Sequence, residues 1–417
     1  MGRKDEGDRR ADKEDSKRRD SPDCTEAWRW EEVINTKIVD IELMEKLAEL
    51  TSRAADYCYQ CGTCTGSCPL NLLNPESINP RRIVRSAQLG LVYDDGNLWH
   101  CSTCGLCEAK CPWSIKIPDV VRAYRQISSE KRKIPQKFEE ILWMVYEDGT
   151  AFPGSSMERA AWTEGLNIRD ASKQKVQVLL YVGCAVSFDK RLQKVAASLA
   201  KVLSTAGVDF GVLGRQERCC GDVVYNIGED AFLEELASQN IERFNKTGAE
   251  AIITISPHSA HMFKKVYPRY GLKIPAYHYV EFLNDLIEKG KIRMSKPLDH
   301  EVTVHDPCYL GRYLKLYEEP RKILSSIPGT KIIEMNDIKE NAICCGSGGG
   351  RHFLDIHGER LSHYRVAQAA QTGAKTLVAP CPFCIQNFED SVKTKKLGLY
   401  VRDVVELVDQ SLNGEVR

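Results

Sequence analysis

The chain has 417 residues, in which 58 Lys plus Arg balance 58 Asp plus Glu, and 42% of the residues are hydrophobic. A net charge of zero excludes the single-signed field of a dedicated nucleic-acid binder, and no apolar run approaches the roughly 20 residues needed to cross a bilayer. The 17 cysteines sit in a long chain whose opening MGRKDEGDRR has no apolar core behind its charges, which points to metal ligands or redox groups in a cytoplasmic protein rather than to a secreted disulfide scaffold.

In chain order, residues 1–32 read as a disordered charged tail, because positions 1–23 hold eight basic and eight acidic side chains and almost nothing to bury. Cys24 belongs to no motif. Residues 33–150 read as a helical domain. Ile38, Ile41, Leu43, Met44, Leu47 and Leu50 recur at helical spacing between Val33 and Ala55, a second helix should follow Pro80 with Ile83, Val84, Ala87 and Leu91, and a third should follow Pro118 with Val120, Val121 and Tyr124. Residues 151–175 mix Gly, Pro, Ser and charge without a period and read as a linker.

Beyond the linker, short apolar runs alternate with helical segments: Val176–Val182, Asp209–Leu213, Ala251–Ile255, Val302–His305, Lys331–Glu334 and Thr376–Ala379. That alternation predicts α/β structure with parallel sheets. TGAEAIITISPHSAHMF (Thr247 to Phe263) aligns without gaps on TGAKTLVAPCPFCIQNF (Thr372 to Phe388), and Cys219-Cys220-Gly221 falls on Cys344-Cys345-Gly346 at the same shift of 125. Two repeated Cys-Cys-Gly half-domains, 176–295 and 296–417, should therefore follow the helical part.

Cys58, Cys61, Cys64 and Cys68-Pro69 form C-x2-C-x2-C-x3-C-P, and Cys101, Cys104, Cys107 and Cys111-Pro112 repeat it 43 residues later. This is the bacterial ferredoxin run, in which three thiolates wrap one cubane and the fourth reaches to the other cluster. The assignment is Cys58, Cys61, Cys64 and Cys111 for one [4Fe-4S] cluster and Cys101, Cys104, Cys107 and Cys68 for the second. Zinc is the competing occupant, but its tetrahedral sites draw ligands in two pairs, which neither run does.

In the last half-domain, Cys308 follows one strand, Cys344-Cys345 opens the glycine-rich CCGSGGG, and Cys381 and Cys384 follow another strand. Strand carboxyl ends are where parallel sheets bind ligands, so the five thiols could converge, with Gly346, Gly348, Gly349 and Gly350 letting the backbone approach a cluster and offer it N–H donors. A structural zinc on Cys381, Cys384 and two others is the alternative. The first half-domain keeps Cys184, Cys219 and Cys220, but Ser256-Pro257-His258-Ser259 stands where C-P-x-C is expected. That site is empty and structural, or holds a metal through its three thiolates with His258 or His261, or shapes a substrate pocket, or leaves Cys219 and Cys220 free to exchange with a disulfide.

Cys308, 35 residues, Cys344-Cys345-Gly346, 35 residues and Cys381-x-x-Cys384 resemble the cysteine-rich CCG domain of heterodisulfide reductases. With the doubled ferredoxin run, residues 33–417 resemble the D-type polypeptide of that family, equivalent to a fusion of its C-type and B-type polypeptides. The resemblance implies a noncubane [4Fe-4S] cluster on Cys308, Cys344, Cys345, Cys381 and Cys384 that splits a disulfide, or oxidises a dithiol, in one-electron steps fed by the two cubanes. It implies partner subunits as well. No G-x-G-x-x-G flavin fingerprint occurs, so electrons should come from a flavoprotein or a membrane cytochrome, which could hold the chain at the inner face of the membrane. Related complexes acting on glycerol phosphate, glycolate, lactate or acyl-CoA suggest a rival, an electron-transfer subunit without disulfide chemistry; a zinc-stabilised scaffold is a third reading. His305 and His352 stand where an acid could protonate a released thiolate, or where they could hydrogen-bond the backbone around a cluster.

Overall fold

Local capping decides where the first helices begin. In the computed structural model, which describes residues 39–413 apart from 76, 94–95 and 356–357, helix α1 (Ile41–Leu50) starts where the Asp40 carboxylate accepts from Leu43 N at 3.0 Å. It buries Leu43 and Leu47 but leaves Ile41 outside the core. The charged tail, Cys24 and the expected first turns from Val33 lie outside the described residues. Helix α2 (Pro80–Gln88) is capped by Asn79 and buries Ile83, Val84 and Ala87, while Leu91 falls beyond its end. Helix α3 (Ile117–Glu130) starts with Pro118 in its first turn and buries Val120, Val121 and Tyr124. A further helix, α4 (Gln136–Glu147), turns Phe138, Ile141 and Val145 inward, an i, i+3, i+7 stripe that the sequence reading passed over.

Residues 169–402 build two sheets in which every pairing is parallel. The first has the order β1-β3-β2-β4-β5, with β1 Arg169–Asp170, β2 Val178–Tyr181, β3 Phe210–Val212, β4 Ala251–Thr254 and β5 Ala276–His278. The second has the order β7-β6-β8-β9, with β6 Glu301–Val304, β7 Lys331–Ile332, β8 Thr376–Val378 and β9 Tyr400–Arg402. Apart from the edge strand β1, each position in one sheet has its counterpart in the other, so the internal repeat is a repeat of fold. The repeat extends to capping: Glu281 accepts from His278 N at 2.9 Å, and Glu406 accepts from Asp403 N at 2.8 Å.

This strand order fixes the sites. After β2 the chain crosses to one side to form β3, then returns past β2 to form β4, so the loops leaving β2 and β4 diverge and open a crevice at the carboxyl ends of the strands. Cys184 follows β2 and Ser256 follows β4; in the second sheet Cys308 follows β6 and Cys381 follows β8. The half-domains are tied together by Arg191, at the start of helix α5 (Lys190–Thr205), whose guanidinium donates to Glu406 at 2.7 and 2.9 Å and to Glu389 at 2.6 Å.

Arg125 on α3 links all three parts. It is fully buried and donates to the carbonyls of Leu98, Cys101, Asn226 and Gly349 at 2.8 to 3.3 Å. Methionine would keep its stem but strand four buried acceptors, each costing about 1–3 kcal/mol. Arg125→Met should therefore lower stability by at least about 3 kcal/mol on that scale, read as an earlier denaturant midpoint. An unchanged midpoint would contradict this role.

Candidate iron–sulfur and thiol sites

The two ferredoxin runs fold as copies. Each begins after a 3-10 turn, Ala54–Tyr57 or Asn97–His100, and passes through left-handed backbone at Gln60 and Gly62 or at Thr103 and Gly105. These bends turn successive thiols to one side. Cys68, Cys101, Cys104 and Cys107 line one small cavity, closed by Ile83, Ile117 and Val121. Burial, then the charges of Cys104 and Cys101, pushes the Cys68 thiol up to about 12. Cys61, Cys111 and Cys58 all act on the exposed Tyr59, whose hydroxyl they hold above its ordinary value, and Cys64 interacts with Cys58 and Cys61. Cys61 is exposed and its thiol is held down by Thr63. Four soft thiols around a closed cavity fit the donor set of an iron–sulfur cluster. Among the described residues, no three Cys, His, Asp or Glu side chains stand close enough to chelate a single metal ion.

The five cysteines of the last half-domain converge from three loops. Cys384 donates to Cys345 at 3.2 Å, Cys308 lies 3.9 Å from Cys344, and further thiol contacts join Cys344 to Cys345 and Cys381 to Cys384. Hydrogen bonds from Cys104 and then Cys308 hold Cys344 below the ordinary thiol value, so a thiol of the second ferredoxin run acts on this set. Gly346 N donates to Cys344 Sγ at 3.2 Å. The later glycines do something else: a Cβ on Gly348 or Gly349 would come within 2.4 Å of Ser102 O or Cys101 O. They let the CCGSGGG turn press on the second ferredoxin loop. The buried guanidinium of Arg312 bridges the same junction, donating to Cys104 O at 2.6 Å and Ala342 O at 2.9 Å while facing Cys104, Cys308 and Cys344.

In the first half-domain Ser256 has become a helix cap, its hydroxyl accepting from His258 N at 3.3 Å. Cys184, Cys219 and Cys220 line a cavity with Ser256, His258, Ser259, Phe152, His352, Phe353 and Phe383. Arg159, from the segment read as linker, donates to Cys184 Sγ at 3.2 Å and to Glu217 at 2.9 Å. Glu217 also accepts from Val182 N and Gly183 N, both at 2.9 Å. A hydrogen bond from Cys219, opposed by burial and helped by the charge of Arg159, holds Cys184 well below the ordinary thiol value. His258 faces this cavity, but His261 is not among its lining residues.

His305 is not placed to deliver a proton. It is wholly buried, its Nδ1 accepts from Arg365 Nε at 3.2 Å, and burial, then Arg365 and Arg312, hold it well below its usual value, in the neutral form. His352 does face the cavity, but burial and the charge on His258 lower it to about 4. The charged imidazole is His258. Its Nδ1 lies 3.0 Å from Asp222, its ring stacks on Tyr309 at 3.9 Å, and although burial opposes its charge, Asp222, Cys381 and Cys220 outweigh burial and raise it to about 9. A raised histidine stabilises the fold fully below its unfolded value of about 6.5 and ceases to do so as pH rises through its folded value. The stability gap between the native protein and His258→Gln should narrow from about pH 6.5 to about 9 in denaturant titrations; a gap that widens would refute the ion pair.

Family models match the chain as a cysteine-rich domain of the CCG type at residues 178–264 and 302–389 and as a 4Fe-4S dicluster domain at residues 54–115. The chain is 36% identical over 252 residues to the D-type polypeptide of the dihydromethanophenazine:CoB–CoM heterodisulfide reductase of Methanosarcina mazei, covering 59% of this chain and 61% of that one. The chain is similar in sequence to the D-type polypeptides of heterodisulfide reductases. It is also 35% identical over 293 residues to a probable iron–sulfur-binding oxidoreductase, FadF, of Bacillus subtilis, and 37% identical over 266 residues to an EtfAB:quinone oxidoreductase of Syntrophomonas wolfei. These cover 68% and 60% of this chain but only 42% and 37% of those longer relatives. A solved hypothetical protein from Helicobacter pylori shares the fold, with a TM-score of 0.50 at 11% identity over 93% of this chain and 75% of its own. The chain thus carries 4Fe-4S-binding domains and is kin to iron–sulfur oxidoreductases. Among the described residues no helix is long and apolar enough to cross a membrane.

Proposed function

We propose that the chain is the iron–sulfur subunit of a heterodisulfide reductase-like complex. In this reading Cys58, Cys61, Cys64 and Cys111 hold one cubane, Cys68, Cys101, Cys104 and Cys107 hold the other, and Cys308, Cys344, Cys345, Cys381 and Cys384 hold a noncubane cluster. The bound clusters would supply single electrons and an iron able to take a sulfur ligand, as cleavage of a disulfide requires. The observation that supports this most is the interaction of Cys104 with Cys344, which couples the second ferredoxin run to the CCG cysteines. Arg312 lies beside both sets, so its charge favours added electrons on either. The neighbouring cavity is walled by Phe152, Phe353 and Phe383, apolar surface that an organic disulfide would contact, and His258 holds a proton at its edge for a departing thiolate. Electrons would come from a flavoprotein or membrane cytochrome partner, and through it any attachment to a membrane.

The relatives named FadF and EtfAB:quinone oxidoreductase, together with Ser256 and Ser259, favour a second reading, an electron-transfer subunit of a flavoprotein complex without disulfide chemistry. An anaerobic assay of cluster-loaded protein with reduced methyl viologen and 2-hydroxyethyl disulfide separates the two. The first reading expects two dye oxidations per disulfide cleaved, and loss of turnover in Cys308→Ala. Absence of disulfide-dependent dye oxidation in fully loaded protein would leave the second.

A further inference from the structure

The first half-domain has lost its two C-terminal ligand positions, yet its three cysteines keep a built environment. Cys184 Sγ receives a hydrogen bond from the Arg159 guanidinium at 3.2 Å, and Arg159 and Glu217 are both nearly wholly buried. Such a buried arginine is costly unless it serves an anion, and Arg159 divides its donors among Glu217, the Gly149 carbonyl at 3.0 Å and Cys184. Cys219 hydrogen-bonds Cys184 on one side and receives Gly221 N at 3.4 Å on the other. Cys184 and Cys219 both open on one cavity, whose far wall (Ser347, Gly350, His352, Phe383) belongs to the complete half-domain.

We propose that Cys184 and Cys219 form a redox-active dithiol that exchanges with an organic disulfide bound in this cavity. This deepens the proposed function and rests on its disulfide substrate. The Cys184 thiolate attacks one sulfur of RS–SR′; its bond to the other sulfur breaks, R′S⁻ leaves, and Cys184 carries a mixed disulfide. Cys219 then attacks Cys184 Sγ, releasing RS⁻ and closing a Cys184–Cys219 disulfide, and the Cys219 proton leaves on one of the two thiols. The substrate gains two electrons and the dithiol loses two. The iron–sulfur chain of the proposed function restores the dithiol with two electrons, and two protons come from solvent. Ser in place of Cys at 256 and 259 keeps iron from claiming these thiols, because hydroxyls are poor ligands for it.

The test uses anaerobic, cluster-loaded protein with no electron donor, mixed with 2-hydroxyethyl disulfide and then alkylated and mapped by mass spectrometry. The expected result is a Cys184–Cys219 linkage with two equivalents of 2-mercaptoethanol released per chain. Cys219→Ser should stop at the mixed disulfide on Cys184, and Cys184→Ser should release nothing. Cys308→Ala should still form the linkage in this single turnover while failing in the dye-driven assay. Dye-driven cleavage that persists in Cys308→Ala would overturn the noncubane reading and leave the dithiol standing. The dithiol is overturned if Cys184 and Cys219 remain alkylatable after exposure to the disulfide, or if Cys184→Ser lowers the iron content.

Discussion

Cys68→Ala should cost the cluster of the second ferredoxin run, and Cys111→Ala the cluster of the first, each removing about four irons and cutting dye-driven turnover by at least about 100-fold. The sequence places Cys68 beside Cys64, but the fold lines one cavity with Cys68, Cys101, Cys104 and Cys107, while Cys111 acts with Cys61 and Cys58 on Tyr59. Double variants expose the grouping, because losses within one cluster cannot add. Cys68→Ala combined with Cys107→Ala should lose no more iron than either alone, whereas Cys68→Ala combined with Cys61→Ala should lose twice as much. The opposite pattern would mean that each run keeps its own four ligands.

Arg312→Met should leave iron content intact yet reduce turnover about 10- to 100-fold, the usual scale for groups just outside a metal's own ligands. Arg312 fixes Cys104 O and Ala342 O at 2.6 and 2.9 Å, so it sets how the ferredoxin loop meets the CCG loop, and its charge faces thiols of both. Removing a buried cation beside a cluster disfavours the extra electron, so the reduction potentials of the nearest clusters should fall. Iron analysis beside turnover checks this directly. Native turnover in the variant would show that the junction does not govern electron flow.

Much of the fold was legible because its signals are local. Strand-length apolar runs, Pro80 and Pro118 at helix starts and the 125-residue repeat all act within one element or between equivalent ones. The strands passed over were Arg169–Asp170, Ala276–His278 and Tyr400–Arg402, short edge strands whose identity comes from their neighbours rather than from their own composition. The cysteines announced themselves by spacing. Arg125, Arg159 and Arg312 did not, since a buried arginine looks like any surface arginine until its partners, 24 to 224 residues away for Arg125, are known. His258 could have been found from its place between the two serines, but its partner Asp222 carries no signal beyond following Cys-Cys-Gly. The glycines of CCGSGGG were legible as points of close approach, but the Cys101–Ser102 backbone that Gly348 and Gly349 meet lies far away in sequence and carries no local signal.

The most direct test of the account is electron paramagnetic resonance of the oxidised, fully reconstituted protein, with iron counted, before and after addition of a small thiol. Two cubanes and one four-iron noncubane cluster predict about 12 irons per chain, with a paramagnetic signal that appears on thiol addition and is absent in Cys308→Ala. About eight irons and no thiol-dependent signal would contradict it.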